Sequence, residues 1–140
     1  MPFDSEKLKR IYDRTSGYCH LCHAKVAFTN YGRLGAKGAW HVEHSRARAR
    51  GGSDHGNNLY PACISCNVGK ATMSAAAARR SHSKSKVPLS REARRAAKAD
   101  NALLGAVAAG AAGGALFGPI GALGGVVLGA FKAYGKNPDK

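Results

Sequence analysis

The sequence predicts an α+β fold. A small metal-stapled domain of helix, hairpin and helix is expected over 1–73. A basic helical linker is expected over 74–101, and a Gly-rich apolar helical hairpin over 102–134. Three observations carry this. All four cysteines fall in two C-x-x-C pairs, Cys19/Cys22 and Cys63/Cys66. A strand–loop–strand pattern lies between the pairs. Residues 102–131 contain no charged residue, directly after a stretch rich in Lys and Arg.

The elements follow in order. Leu8, Ile11, Tyr12 and Thr15 recur at i, i+3, i+4 and i+7, one face of a short helix. Asp4 or Ser5 can cap it and Gly17 can end it. The first cysteine turn comes next. Trp40–Val42 reads as a strand that enters a loop rich in Gly, Ser, Asp and Asn, RGGSDHGNN. Leu59–Tyr60 begins a short return strand, and a helix is expected from after Cys63 to about Met73. Pro88 interrupts the basic tract, and Ser90 can cap a second helix, SREARRAAKAD.

The chain carries 22 Lys+Arg against 8 Asp+Glu, a formal charge of +14. That balance points to a polyanionic partner, nucleic acid before an anionic membrane surface. MPFDSEKLKR has no apolar core of a secretory signal. A cytoplasmic location, or the cytoplasmic face of a membrane, is the expectation, with delivery into another cell by other machinery still open.

CHLCH at 19–23, read alone, matches a haem-attachment motif, a redox dithiol or half of a zinc site. Cys63 and Cys66 give both sulfurs partners, so one zinc ion accounts for all four cysteines. The separation between the pairs requires something folded between them.

That insert is WHVEHSRARARGGSDHGNNLYPACISCNVGK, residues 40–70. With Glu43-His44, the GGSD loop, Asn58-Leu59 and Cys63-x-x-Cys66-Asn67-x-x-Lys70, it resembles the HNH endonucleases in their four-cysteine form. The resemblance covers residues 5–73. It implies a ββα-metal fold, His44 as general base, Glu43 and Asn67 as ligands of a divalent ion, and Asn58 bracing the loop that orients His44. Adjacent strand residues point to opposite faces, which also separates Glu43 on the metal from His44 on water. The family often has Asp at position 43 and His at position 67. An oxygen pair here favours Mg²⁺ or Mn²⁺, beside structural Zn²⁺.

DNA is therefore the expected partner, with Arg46, Arg48, Arg50 and Lys70 as candidate phosphate contacts. The rival reading is a zinc module that binds nucleic acid without cleaving it. A second rival is a membrane-active protein built on the tail. There Gly110, Gly114 and Gly118, then Gly121, Gly125 and Gly129, are spaced by four about Pro119. Such glycine-zipper series pack helix backbones closely in lipid. Membrane association through 102–134, self-association through the same faces and an immunity protein are the further partner expectations.

Overall fold

The computed structural model describes residues 3–104, 106–108 and 134. The chain divides into two compact units between Arg91 and Glu92.

In the first unit, helix α1 spans Ser5–Asp13. Asp4 caps it by accepting from the Lys7 amide at 2.6 Å, as the acidic residue before an amphipathic run is suited to do. Leu8 and Ile11 form its buried face. Gly17 adopts φ 76° and its amide returns to the Tyr12 carbonyl at 3.0 Å. A Cβ there would meet the Tyr12 ring at 2.3 to 2.8 Å, so the chain turns into the cysteine knuckle only with glycine.

Strand β1, Trp40–His44, pairs antiparallel with β2, Leu59–Cys63, in a register that sets Trp40 against Cys63 and His44 against Leu59. Helix α2, Ile64–Lys70, follows β2 without a break. Together these elements make the ββα arrangement. Trp40, Leu21, Leu59 and Val26 are fully buried at its centre. The Tyr31 ring meets Trp40 edge-on at 4.9 Å, and Tyr12 meets Phe28 in the same way at 5.3 Å. The core is small and aromatic, so polar links and metal have to supplement it.

Residues 74–91 pack against this unit rather than leaving it. Helix α3, Ala75–Ser81, is capped by Ser74 and buries Ala75 and Ala78. The chain beyond it is tied back by Ser16 Oγ to the Leu89 carbonyl at 3.0 Å and by Arg91 to Asp13 at 2.9 Å. A face made only of alanine gave no apolar stripe to read, so this helix was not expected.

In the second unit residues 92–104 and 106–108 are helical, extending the helix expected after Ser90. Leu103, Leu104 and Val107 are exposed on it. The glycine series between 110 and 129 and the hairpin expected there lie outside the described residues. Among the described residues no helix is long and apolar enough to cross a membrane.

Candidate metal centre and catalytic strand

The four cysteine sulfurs lie within 4.8 Å of one another. Cys22 Sγ and Cys63 Sγ are 3.8 Å apart. Tetrahedral zinc with Zn–S bonds of about 2.3 Å sets its sulfurs about 3.8 Å apart, so the cluster fits the ion. The thiols also conflict without a cation. Hydrogen bonds from Cys19 and Cys63 pull the Cys22 thiol down. The Cys19 and Cys22 sulfurs push Cys63 far up, and burial with its charged neighbours pushes Cys66 up to about 12. A divalent ion at the centre lets all four become thiolates. The Leu21 amide already points at Cys19 Sγ, at 3.4 Å. His82, just past α3, places Nε2 3.8 Å from Cys66 Sγ.

His20 lies between the first two cysteines and is fully buried. Its ring stacks on Tyr60 with centroids 4.9 Å apart, and Arg14 covers the other face of Tyr60 at 4.0 Å. His20 Nε2 stands 2.6 Å from Glu43 Oε2, while Lys70 Nζ stands 2.7 Å from Glu43 Oε1. The His20 contact is a close approach without hydrogen-bond alignment, since both atoms lack an aligned partner. The Lys70 contact is the firm one. Burial raises the Glu43 carboxyl, and its His20 and Lys70 partners more than offset this, holding it below the ordinary range. Burial pulls the His20 imidazole down against the opposing pull of Glu43.

Lys70, expected at the nucleic-acid surface, is instead spent inside. Its side chain is 1 % exposed, and its ammonium also donates to the His44 carbonyl at 3.0 Å. A lone Lys in C-x-x-C-N-x-x-K gave no sign of this burial; only the fold brings it to Glu43.

Glu43 faces inward and His44 outward, as alternation along β1 requires. Glu43 and Asn67, the ligands expected for a divalent ion, both offer oxygen donors. Glu43 Oε2 is a buried oxygen with no aligned donor among the described residues, although His20 Nε2 stands 2.6 Å from it. Asn67 lies three residues before Lys70 on α2, on the same side of the helix. An all-oxygen pair suits a hard cation, which has to compete with the Lys70 ammonium for the carboxylate.

His44 stands where β1 gives way to the loop, with 17 % of its side chain exposed. Its Nε2 is 2.6 Å from Asp54 Oδ1. Arg48 grips the same carboxylate, NH2 lying 2.6 Å from Oδ1 and 2.5 Å from Oδ2. Asn58 staples the loop. Its Oδ1 accepts from the Arg46 amide at 2.7 Å, and Nδ2 donates to the Arg46 and Ser53 carbonyls at 3.0 and 2.9 Å. Asn58 thus holds the segment after His44 and makes no hydrogen bond to the imidazole itself. Gly52 is what lets the loop fold back, because a Cβ there would lie 1.8 Å from the Arg46 carbonyl oxygen.

Arg46, Arg48 and Arg50 are all exposed. Beside them a cleft of about 520 Å³ has Ser45, Arg46, Ser53, Asn58, Ala75 and Arg79 in its lining. Arg79 was not among the expected site residues, for it lies on the unexpected α3. His55 is exposed and caps the turn before β2 by accepting from the Asn57 amide.

Neither the curated proteins nor the solved structures yield a match to this chain. Residues 19–72, which hold the cysteine cluster, β1, the arginine-rich loop, β2 and α2, match the family model described as HNH endonuclease.

Proposed function

We propose that the first unit is a metal-dependent endonuclease that hydrolyses DNA phosphodiesters, with Zn²⁺ as a structural ion. The observation that carries the reading is the placement of His44. A partly exposed imidazole, held by a carboxylate, stands at the mouth of a loop bearing three exposed arginines and flanked by a cleft.

In this reading His44 takes the proton of the attacking water. Arg46 and Arg50 meet the phosphate charge, and the cleft accepts the backbone beyond it. Asn58 fixes the loop so that these groups act together. Glu43 and Asn67 would hold a Mg²⁺ or Mn²⁺ ion, which supplies charge stabilisation at the phosphate when bound. Lys70 positions the strand through the His44 carbonyl and neutralises Glu43 in the absence of the ion.

The test is cleavage of supercoiled plasmid by the full zinc-loaded chain, with and without Mg²⁺ or Mn²⁺. His44→Ala should lower the rate roughly 100-fold or more, with DNA binding and zinc content retained. Binding by the parent chain with no cleavage under any divalent ion would favour a non-catalytic zinc module. Equal rates for parent and His44→Ala would remove His44 as the base.

A further inference from the structure

The 45–58 loop brings Asp54 back onto His44 across ten residues, and the chemical steps given above assign that carboxylate no role. Asp54 can only accept hydrogen bonds while ionised, and the paired Arg48 and His44 hold it at about 2, well below the ordinary carboxylate range. Its Oδ1 lies 2.6 Å from His44 Nε2. Two acceptors at that distance would repel, so the imidazole proton must sit on Nε2. Arg48 Nε lies 3.1 Å from Asp54 Oδ1 and 3.2 Å from His44 Nε2. A nitrogen that carries a proton cannot accept from Arg48, so the guanidinium belongs to the carboxylate. Lys7 of α1 reaches the Asp54 carbonyl at 3.4 Å, a weak further tie on the same loop.

We propose that Asp54 is the positioning residue of His44: its carboxylate fixes the Nε2–H tautomer, and the lone pair on Nδ1 is thereby the one that takes the proton from water. Arg48 is the clamp that holds Asp54 in place, rather than primarily a phosphate contact.

This inference rests on the nuclease reading and assigns the atoms within it. The water O–H bond breaks and its proton passes to His44 Nδ1. The water oxygen forms the new bond to phosphorus. The bond from phosphorus to the leaving sugar oxygen breaks, its electron pair stays on that oxygen, and solvent water protonates it. The imidazolium formed is stabilised by the Asp54 carboxylate on its far nitrogen. A neutral hydrogen-bond acceptor in that place would fix the tautomer but would not offset the new charge.

The experiment uses the full zinc-loaded chain with ¹⁵N-labelled histidine. The His44 nitrogens are assigned by long-range proton–nitrogen correlation at alkaline pH. The parent should show Nε2 protonated and Nδ1 bare. Asp54→Ala should show mixed tautomers. In steady-state cleavage of a defined duplex with Mg²⁺, Asp54→Ala should lower kcat roughly 10- to 100-fold with KM little changed. Asp54→Glu keeps a carboxylate on an exposed loop and should recover most of both signals. Zinc stoichiometry equal to the parent's certifies the fold of each variant.

Retention of the Nε2–H form in Asp54→Ala overturns the proposal, as does a loss confined to KM. A parent chain that cleaves nothing sinks the nuclease reading instead, and the nitrogen shifts still decide whether Asp54 sets the tautomer.

Discussion

Replacing Lys70 with Met removes one ammonium from the interior and keeps most of the side-chain volume. Glu43 is then left 3 % exposed, with His20 beside it. An unpaired buried carboxylate can escape by taking a proton. At pH 7, starting from an ordinary value of about 4.3, that route costs about 3.7 kcal/mol at 1.36 kcal/mol per pH unit. It sets a ceiling on the charge penalty. The lost bond to the His44 carbonyl adds about 1 kcal/mol. A total of about 3 to 5 kcal/mol follows, in the range for breaking a buried pair from one side.

The pH dependence has a definite sign. In the parent, Glu43 sits below its ordinary value, so its contribution is present above the unfolded pKa and lost as pH falls through the folded one. In Lys70→Met the carboxyl rises, so the deficit relative to the parent is largest near neutrality and shrinks toward about pH 5. Urea unfolding of both chains in excess zinc and without Mg²⁺, at several pH values, measures it. A deficit below about 1 kcal/mol at pH 7, or one that grows on acidification, would refute the buried-pair argument.

Two further outcomes are expected. Zinc chelation, or Cys63→Ser, should unfold the first unit, because structural zinc contributes on the order of 10 kcal/mol and the core around Trp40 is small. Amide dispersion in the NMR spectrum that survives complete zinc removal would contradict this. Gly52→Ala should push the Arg46 backbone away and cost about 1 to 3 kcal/mol. Cleavage should fall at least about tenfold as Asp54 leaves His44; urea unfolding and the plasmid assay read the two effects separately.

The parts of the fold that the sequence made legible are those set by local spacing. Two C-x-x-C pairs announced their convergence, and the β1–loop–β2–α2 order followed from strand length and turn residues. The helix after Ser90 was readable from its cap. The contacts hidden from the sequence join residues from ten to 27 positions apart. His20 looked like a spacer in C-x-x-C, yet it is the buried neighbour of Glu43, 23 positions on. Lys70 reads as a phosphate contact in the sequence and is a core cation in the fold. Asp54 was one member of a turn-forming GGSD run, and its partner is fixed only once Gly52 lets the loop close on His44. Helix α3 packs through Ala75 and Ala78, side chains too small to leave a hydrophobic signature.

The cysteine cluster has a topological consequence. Cys22 and Cys63 lie 41 positions apart, and Glu43, His44, Asp54 and Asn58 all fall between them. With zinc bound, the segment holding Glu43, His44, Asp54 and Asn58 is a closed ring, while α1, Asn67 and the chain after α2 are not part of that ring. A protease that cuts after the exposed Arg46, Arg48 or Arg50 would open the ring without parting it. One fragment would keep Cys19 and Cys22, the other Cys63 and Cys66, and the ion would hold both. Such a nicked chain should migrate as one body until a chelator is added and then fall into two. The two pieces, produced separately and mixed with zinc, should reassemble, so the domain can be split at its own arginine loop and reconstituted by a metal.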